Sequence, residues 1–483
     1  QPPKLRRNRM QQNERALRFS RWTHVMKKKG ADFFAVYHSL NIETIFLENK
    51  FKKLVTILRV GTTKGKITQK LPGVSAEEIG SVIDELYRIG MIVEVGKDDG
   101  EILDDKRKKY VLPVGLETMY LLVTDTCNLG CRYCLIKNNM PSSYSCSLMN
   151  WETARTAVDM FFSNIAINPE CFDDFVKMIT FYGGEPLLNF PIIKQVIEYT
   201  KEVYALELKN LGPGFRFSIV TNGTAINEEM ARFFGQHKDI NIGISLDGPA
   251  EVNDQMRVMV DGSGSFDKVV KGITLLREVG DRKDLSFSCT VDCHNIDCLS
   301  ELIAIGRDYG VSAINLNPLL DTCEREISHR YMKKVSRRML EYFVLAREAG
   351  LYEDRIMRKA KAFISKAIHP ADCQATGTQI VCSPDGRLGL CHEGIGAKNF
   401  FFSRVSRDFR FHDEPLVKEW RQRTPLNMPQ CFDCPALGIC GGGCTYGAWL
   451  RNGSIWSIDD RFCIHSLKTL EWLVWDLFTR LAD

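Results

Sequence analysis

The chain has 483 residues, of which 44% are hydrophobic and 26% are charged, and its formal net charge is +4. This length suits two or three domains, the composition is typical of a soluble globular protein, and no run approaches the roughly 18 apolar residues of a membrane helix. No signal peptide is visible at the charged, polar N-terminus. We therefore expect a cytoplasmic protein without a membrane partner.

Residues 1–30 are strongly basic, with ten Lys or Arg residues against Glu14 alone. We interpret this segment as a solvated tail or a surface helix, and contact with RNA or an acidic peptide is the alternative. The chain also holds 17 cysteines. In a large cytoplasmic chain, clustered cysteines favour metal binding over disulfides.

Residues 31–110 are predicted to form a small unit. The runs "DFFAVYHSL" and "IETIFLE" predict strands, and "FKKLVTILRVG" predicts a helix. A second helix begins after the N-cap Ser75, carries an apolar stripe and ends at Gly90, and "MIVEV" returns as a strand. This pattern is winged-helix-like. The polar stretch "GKDDGEILDDKRKKY" is interpreted as a linker, so residues 1–110 comprise a basic tail and a winged-helix-like domain.

Residues 115–330 alternate strand and helix, with strands predicted at 118–124, 177–182, 215–220, 240–245, 285–291 and 312–317. Six consecutive βα units predict an α/β fold, a parallel sheet curved into a partial, TIM-like (β/α)6 barrel. In such folds the chemistry lies at the carboxyl ends of the strands. Here those ends read "TDTCNLGCRYC", "TFYGGEP", "VTNGT", "SLDGP", "VDCHN" and "NLNP", which indicates a functional site.

The first strand of this barrel leads directly into Cys127, Cys131 and Cys134, whose thiolates can converge from one loop. A structural zinc site would need a fourth Cys or His, and none is adjacent. An iron-sulfur cube held by three thiolates keeps one iron open for an exogenous ligand. We therefore expect a [4Fe-4S] cluster whose fourth position belongs to a substrate or cofactor.

The C-x3-C-x2-C spacing in this position resembles the signature of the radical S-adenosylmethionine (SAM) superfamily. The resemblance implies that the open iron binds the amino and carboxylate groups of SAM. It also implies reductive cleavage of SAM to a 5′-deoxyadenosyl radical, which removes a hydrogen atom from the substrate. The implied SAM site comprises Tyr133 at the adenine, the "GGEP" element Gly183, Gly184, Glu185 and Pro186, and Thr221, Asn222, Ser245, Asp247 and Arg257 near the ribose or carboxylate. Glycine suits a ligand that approaches the backbone closely, whereas packing and loop capping are the alternative roles for the others.

Residues 331–370 are predicted as a helical, basic connector, and residues 371–483 hold nearly half of all cysteines. Because few His residues accompany them, these cysteines suit two further iron-sulfur cubes better than zinc. The run "CFDCPALGICGGGC" and its flanking cysteines resemble the SPASM domain, an auxiliary-cluster module of radical SAM enzymes that act on peptides and proteins. A zinc ribbon is the alternative.

The SPASM resemblance implies two ligand sets. An outer group comprises Cys431, Cys434, Cys440 and Cys463, and an inner group comprises Cys373, Cys391 and Cys444. We expect Cys382 to complete the inner cluster; the alternative leaves one iron open to a substrate thiolate. The expected cofactors are thus three [4Fe-4S] clusters and SAM, with an electron donor such as flavodoxin or ferredoxin.

Two residues beside the inner group are candidates for proton transfer. His392 and Glu393 follow Cys391 where sulfatase-maturing relatives carry a catalytic aspartate. Either side chain can deprotonate a substrate, and a supporting role near the cluster is the alternative. Among the other cysteines, strand alternation predicts that Cys289 lies in the core. The role of Cys293 stays open, and ligand-like spacing is missing for Cys146, Cys171, Cys298 and Cys323.

The unit at 31–110 resembles the small winged-helix domains with which peptide-modifying enzymes capture a leader sequence. Binding there would use strand addition, in which the leader pairs with an exposed sheet edge. A structural cap or a nucleic-acid-binding winged helix is the alternative, and a nucleic-acid partner is disfavoured.

These observations predict a radical SAM/SPASM maturase of a ribosomally made precursor peptide that carries a leader. It would form an oxidative cross-link, either a thioether or a carbon–carbon bond. Oxidation of a sulfatase Cys or Ser to formylglycine is a second hypothesis, disfavoured by the missing aspartate. A zinc protein that binds nucleic acid is a third, from another class.

Overall fold

The computed structural model describes residues 15–319 and 328–482. Two three-stranded antiparallel sheets begin the described chain. The first contains β1 (Ala16–Phe19), β5 (Thr62–Thr63) and β6 (Ile92–Glu94). The second contains β2 (Thr23–Lys27), β3 (Phe33–His38) and β4 (Glu43–Glu48), with β2 and β4 at its edges.

The strands predicted in "DFFAVYHSL" and "IETIFLE" are confirmed, as is the one in "MIVEV". The interpretation of the basic segment as a tail or a surface helix is wrong for residues 16–27, which form two strands. The reason is apolar pairing: Leu17 is buried in the N-terminal core, and Val25 lies opposite Val36 of β3. Residues 1–14 of that segment lie outside the described residues.

Three helices complete the N-terminal unit: α1 (Lys52–Val60), α2 (Lys64–Lys70) and α3 (Ala76–Arg88). Ser75 caps α3 as predicted, because its Oγ accepts from Glu78 N at 3.2 Å while the Glu78 carboxylate accepts from Ser75 N at 3.0 Å. The apolar stripe of α3, which includes Ile79 and Ile83, packs into the same core as β3 and β4.

The polar stretch interpreted as a linker is instead helix α4 (Gly100–Tyr110). Its sequence suits an exposed helix, with Asp104 and Arg107 paired at 2.9 Å across one turn. Leu103 is buried among residues of the C-terminal region, and Arg107 Nε donates to Leu426 O at 2.8 Å. The segment therefore docks the N-terminal unit onto the cysteine-rich region, a long-range contact that local polarity does not reveal.

The six predicted barrel strands are confirmed, and all are parallel. They are β7 (Thr118–Thr124), β8 (Lys177–Gly183), β9 (Phe215–Thr221), β10 (Ile240–Ser245), β11 (Leu285–Val291) and β12 (Ala313–Pro318). The helices between them are α5 (Leu135–Asn138), α6 (Trp151–Ile165), α7 (Phe190–Val203), α8 (Ala205–Asn210), α9 (Glu228–Gln236), α10 (Ala250–Met256), α11 (Phe266–Glu278) and α12 (Glu301–Asp308). Alternate strand residues such as Phe217 and Ile219 are fully buried in one core.

The connector consists of helices α13 (His329–Glu348) and α14 (Asp354–Ser365), as predicted. The C-terminal region then adds three strands to the barrel sheet: β13 (Gln379–Cys382), β14 (Arg387–Gly389) and β15 (Phe401–Arg404). The sheet order is β12-β11-β10-β9-β8-β7-β13-β14-β15, with β13 parallel to β7. This extension places the C-terminal cysteines beside the first barrel strand.

Four more helices follow: α15 (Pro415–Gln422), α16 (Leu437–Cys440), α17 (Thr445–Asn452) and α18 (Asp460–Ala482). Helix α18 packs along α13 and contributes Leu470 and Val474 to a core shared with Trp22 and Tyr37 of the N-terminal unit. Within 15–319 and 328–482, no helix combines the length and apolar character needed to cross a membrane.

Candidate active site

The three cysteines of the "CNLGCRYC" loop lie together at the carboxyl end of β7. Cys134 N donates to Cys131 O at 3.2 Å in one tight turn, and Leu129 N donates to Cys127 Sγ at 3.4 Å. Burial raises the pKa of Cys127 to about 12, and the neighbouring Glu185, Cys131 and Cys134 add to the rise. Thiols in this setting become good ligands only when a cation offsets their negative charge.

Two glycines let the end of β8 pack against this loop. Gly183 has φ of 137°, and a Cβ there would lie 1.9 Å from Thr124 O; a Cβ on Gly184 would lie 2.3 Å from Thr126 O. Gly184 N and Glu185 N donate to these two carbonyls at 2.9 Å. The close backbone approach that we expected from a ligand is thus made by the cysteine loop itself, and the glycines fix its position.

Glu185 joins the ends of β8 and β9. It is fully buried, and its Oε1 accepts from Thr221 Oγ1 at 2.6 Å and from Leu187 N at 3.0 Å. Oε2 accepts from Asn222 N at 2.7 Å, which leaves that oxygen one further acceptor position. Pro186 follows at the start of a short 3-10 helix. Burial raises the pKa of Glu185, and these donors oppose the rise.

Tyr133, Asp247 and Arg257 form a buried polar triad around Asp247. Asp247 Oδ2 accepts from Arg257 Nε at 2.9 Å and from the Tyr133 hydroxyl, and Oδ1 accepts from Thr290 N at 2.9 Å. The Arg257 guanidinium lies 5.5 Å from the centre of the Tyr133 ring. Arg257 Nη1 and Nη2 make no hydrogen bond to any described residue, so they can pair with an incoming carboxylate.

Asn222 and Ser245, the other residues of the implied SAM site, lie at neighbouring strand ends. Asn222 Nδ2 donates to Asn128 Oδ1 at 2.9 Å and lies 3.8 Å from Cys127 Sγ, so Asn222 contacts the cysteine loop directly. Ser245 is half-buried and lies level with Ser288 of β11. The structure therefore brings the whole predicted set to one mouth of the barrel.

The spacing of possible ligand atoms bears on whether a single metal ion could bind. Thiolates on one tetrahedral zinc ion lie about 3.8 Å apart, because each Zn–S bond is about 2.3 Å. Of the described residues, only Asp292, Cys293 and His294 bring three ligand atoms within 4.8 Å of one another. In none of the predicted cysteine groups, all of which belong to the described residues, do three sulfur atoms lie within that distance of one another.

The inner group brings Cys373, Cys391 and Cys444 together, although up to 71 residues separate them. Burial raises the pKa of Cys391 well above its usual value, and the nearby Cys444 and Cys373 raise it further. Ala375 N donates to Cys373 Sγ at 3.4 Å, and Gly447 N donates to Cys444 Sγ at 3.2 Å. Amide donors of this kind stabilise thiolate ligands.

Cys382 does not join these three thiols in the structure. It lies in β13, opposite Leu121 of β7 and Leu388 of β14, and it is fully buried. Burial raises its pKa to about 12, and the charged side chains near it are Asp385 and Lys398. Strand pairing on both sides therefore places Cys382 in the sheet, away from the position that we expected.

The outer group brings Cys431, Cys434, Cys440 and Cys463 together. Burial raises the pKa of Cys463, and the other three thiols raise it further. Cys434 N donates to Cys431 O at 3.0 Å in a turn that resembles the one in the barrel loop. The N-terminal unit covers this group, since the rings of Trp22 and Phe432 lie 6.1 Å apart, edge to face.

His392 and Glu393 lie between the barrel loop and the inner group. The His392 ring stacks on Tyr120 at 4.6 Å and meets the Tyr182 ring at 4.7 Å. Glu393 Oε1 lies 3.4 Å from His392 Nε2. Burial raises the pKa of the Cys134 thiol, and Glu393 is close enough to raise it further. A base in this place can reach a substrate between the two cysteine groups.

Tyr120 and Tyr182 were missed by the sequence interpretation. They lie on adjacent strands, with their rings 5.9 Å apart. Burial raises the pKa of Tyr182 well above its usual value, so its hydroxyl stays protonated. The available signal was strand alternation, because each tyrosine is half-buried between buried neighbours on its strand.

The remaining cysteines lie outside these groups. Cys289 is fully buried in the barrel core, as predicted. Cys293 is exposed at the end of β11, 3.5 Å from His294 Nδ1. Cys146 and Cys171 are exposed and Cys298 is half-buried. Cys323 lies outside the described residues.

Comparison with known proteins identifies the barrel. Residues 121–292 match the Radical SAM superfamily. Over 93% of its length the chain is 23% identical to 94% of the radical SAM cyclopropyl synthase TigE of Paramaledivibacter caminithermalis. A 157-residue part, 32% of this chain, is 32% identical to 38% of a cysteine-type anaerobic sulfatase-maturating enzyme of Clostridium novyi.

Solved structures share the fold. The enzyme anSMEcpe with bound AdoMet superposes with a TM-score of 0.61 at 17% identity, covering 76% of this chain and 95% of that one. SuiB of Streptococcus suis bound to the precursor peptide SuiA superposes with a TM-score of 0.52 at 16% identity, covering 92% of this chain and 99% of that one. The partial barrel of this chain is therefore of the same kind, and the match to SuiB extends over nearly the whole chain.

Proposed function

Because residues 121–292 of this chain form a domain of the radical SAM superfamily, we propose that the protein is a SPASM-type maturase of a ribosomally made precursor peptide. The observation that carries the proposal is the arrangement of three separate cysteine groups, one at the barrel mouth and two in the C-terminal region. The nearly full-length similarity to the radical SAM cyclopropyl synthase TigE supports a multidomain radical SAM enzyme over a shorter one.

In this proposal Cys127, Cys131 and Cys134 hold a [4Fe-4S] cluster that binds SAM. When bound there and reduced, SAM supplies a 5′-deoxyadenosyl radical. Glu185 Oε2 offers its remaining acceptor position to the SAM ammonium group, and the free nitrogens of Arg257 pair with its carboxylate. The positive charge of Arg257 is preorganised for the SAM carboxylate, because Asp247 Oδ2 holds Arg257 Nε at 2.9 Å.

The C-terminal groups hold two auxiliary [4Fe-4S] clusters. The outer group supplies four thiolates, whereas the inner group supplies three, because Cys382 lies apart in β13. The open alternative for the inner cluster is thus favoured, with its fourth position available to a substrate thiolate or another ligand. The clusters would carry away the electron released when an oxidative bond forms. An electron donor such as flavodoxin or ferredoxin in the cytoplasm would reduce the cluster that binds SAM.

The N-terminal unit would bind the leader along β2. Ser39 N donates to Trp22 O at 2.9 Å, and in an antiparallel ladder such bonds recur at every second residue. The backbone groups of Val25 and Lys27 therefore point away from β3, toward the free edge of the sheet. A cavity of about 430 Å³ runs along this edge, lined by β2 residues, Arg59 and Pro435. An extended peptide could add there as a fourth strand.

Charge favours an acidic leader at this edge. Lys27, Lys28 and Lys29 are exposed at the end of β2, and Arg59 lines the cavity. Opposite charge on a peptide raises its local concentration and sets its register. Pro435, which lines the cavity, directly follows Cys434 of the outer cysteine group. The leader would therefore bind near that group, at a different site from the segment that is modified.

The expected product is an oxidative cross-link. TigE is named a cyclopropyl synthase, and a cyclopropyl ring is closed by carbon–carbon bonds, so this relative favours the carbon–carbon form over a thioether. His392 and Glu393 are the candidate bases for removal of the substrate proton that accompanies bond formation.

Formylglycine generation is a second candidate, favoured by the 32% identity to the Clostridium novyi enzyme. The two functions predict different products from peptides with one cysteine. A cross-linking enzyme joins two residues and removes hydrogen without adding oxygen, whereas formylglycine formation replaces the thiol with an aldehyde. Mass spectrometry of the modified peptide separates them.

The test begins with anaerobic purification and cluster reconstitution, then measures iron per chain and 5′-deoxyadenosine released with SAM and dithionite. We expect about twelve irons, four for each cluster, and nucleoside release. Cys131→Ala should lower iron to about eight and abolish release, whereas the exposed Cys171→Ala should resemble the wild type. Zinc without nucleoside release would contradict the proposal.

A further inference from the structure

Arg423 is a fully buried arginine that follows α15. Its guanidinium is held entirely by main-chain carbonyls: Nη1 donates to Gly442 O at 2.9 Å, Nη2 donates to Ser457 O at 3.2 Å, and Nε donates to Ile455 O. These bonds engage all three nitrogens of the side chain, but carbonyl dipoles do not neutralise its charge. A buried cation without a counter-ion is strongly unfavourable.

No described carboxylate forms an ion pair with Arg423. Asp459, the acidic group nearest to it, is already bound by Arg461 through Nε at 2.7 Å and Nη2 at 2.5 Å. Burial lowers the pKa of Arg423, and the groups that oppose this most strongly are the thiols of Cys444, Cys440 and Cys431, ahead of Asp459. The charge of Arg423 therefore acts mainly on the thiols of the two cysteine groups.

The location of Arg423 connects the two C-terminal cysteine groups. Gly442, whose carbonyl it binds, lies in the turn between Cys440 of the outer group and Cys444 of the inner group. Gly442 has φ of 79°, and a Cβ there would lie 3.3 Å from Arg423 Nη1. The turn that connects the outer group to the inner group therefore contacts the guanidinium of Arg423 directly.

We propose that Arg423 is a fixed counter-ion shared by the inner and outer auxiliary clusters and that it raises the reduction potentials of both. The inference rests on the proposed function, which assigns clusters to these cysteines. A cube with thiolate ligands is anionic and becomes more so on reduction, so a nearby cation stabilises its reduced form. Arg423 is a positioning residue in this scheme, since it touches neither substrate nor SAM.

A second basic cluster lies beside the same two groups, and its charge is partly offset by a carboxylate. Lys359 Nζ donates to Cys440 O at 3.0 Å, and Arg358 lies 4.0 Å from Asp372. Lys359 lies 3.1 Å from the buried Asp372, and Arg355 lies 3.6 Å from the same carboxylate. These cations have a carboxylate partner, whereas Arg423 has none among the described residues. What sets Arg423 apart among the cations between the two groups is therefore that no described carboxylate pairs with it.

The test uses the full-length, reconstituted protein and follows cluster reduction by EPR during a redox titration. Arg423→Gln removes the charge, and Arg423→Lys keeps it. Arg421→Gln is the matched control, because Arg421 is partly buried and also donates to a main-chain carbonyl, Leu112 O, at 2.9 Å. The acidic groups that act on its charge are Glu117 and Cys171, which belong to neither auxiliary group. The cluster at the barrel loop serves as an internal reference.

We expect Arg423→Gln to shift both auxiliary clusters to lower midpoint potential, while Arg423→Lys shifts them less and Arg421→Gln leaves them unchanged. Unshifted potentials in an iron-replete Arg423→Gln protein would overturn the inference. If Arg423→Gln loses auxiliary iron, Arg423→Lys decides: retained iron supports the counter-ion role, and equal loss shows that shape rather than charge is required. Absence of auxiliary clusters from the wild type would instead overturn the proposed function, and this inference with it.

Discussion

The imidazole of His392 stacks on the ring of Tyr120, with their centroids 4.6 Å apart and their planes at 14°. Residue 120 lies on the first barrel strand and residue 392 follows a cysteine of the inner group. The stack thus joins the barrel to the C-terminal region at the place where a substrate between the two cysteine groups would lie. His392 Nδ1 is buried and has no partner among the described residues.

Replacing His392 with Phe should preserve the stack but remove the base. We expect cross-linked peptide to fall by about 10²-fold or more, the usual contribution of a general base, while 5′-deoxyadenosine release and iron content persist. His412→Phe is the control, since His412 bonds Asn168 Oδ1 at 2.9 Å, on the other side of the barrel strands. Product formation at the wild-type rate in His392→Phe would assign the proton transfer to another group.

Asp247→Asn should weaken both the fold and SAM binding. The substitution leaves the Arg257 guanidinium buried without its counter-ion, a change that costs about 3–5 kcal/mol of unfolding free energy. Tyr133→Phe removes only a hydrogen bond to the same carboxylate and should cost about 1 kcal/mol. Urea unfolding and isothermal titration with SAM measure both effects. Equal losses in the two variants would show that the Asp247–Arg257 pair adds nothing beyond a hydrogen bond.

Val25→Pro should weaken leader binding without unfolding the sheet. Val25 N points to the free edge of β2, where proline is tolerated but cannot donate a hydrogen bond. We expect about a 10-fold loss in affinity, equal to the roughly 1.4 kcal/mol that a main-chain bond can contribute. The readout is fluorescence anisotropy with a labelled precursor peptide that serves as a substrate in the cross-linking assay.

Thr44→Pro is the matched control for the opposite edge. By the same alternation, the backbone groups of Val36 in β3 hydrogen-bond with those of Ile45 in β4. The N–H of Thr44, the residue before Ile45, therefore points outward. Its affinity for the peptide should equal that of the wild type. A loss in Thr44→Pro with full binding in Val25→Pro would move the leader to β4.

Acid should destabilise the N-terminal unit through His38. Asn41 N donates to His38 Nδ1 at 3.0 Å, which requires a neutral ring, and burial lowers the pKa of His38 to about 3, with His24 and Lys106 lowering it further and Asp99 opposing them. The unfolded chain, with a histidine pKa of about 6.5, takes up the proton first. The stability that the neutral His38 contributes is therefore fully present above pH of about 6.5, and it is lost as the pH falls toward about 3.

At pH 5 the loss from His38 amounts to about 2 kcal/mol of unfolding free energy. His38→Gln should reduce the difference in unfolding free energy between pH 7.5 and pH 5 by that amount. Denaturant unfolding at the two pH values gives the comparison, and an unaltered pH dependence in His38→Gln would contradict the assignment.

The sequence alone determined the six barrel strands, because each combines apolar alternation with a polar loop at its carboxyl end. It also determined which cysteines are candidates, since local spacings such as C-x3-C-x2-C are visible in one loop. The helix cap at Ser75 and the core position of Cys289 followed from equally local patterns.

Only the tertiary structure decided how distant segments meet. It placed Cys382 in a strand paired with Leu121 instead of beside Cys391, turned residues 100–110 from a linker into a docking helix, and set Arg423 between two cysteine groups. These contacts join residues up to hundreds of positions apart. They arise from strand pairing, burial and charge compensation in the packed chain, which no local period or spacing specifies.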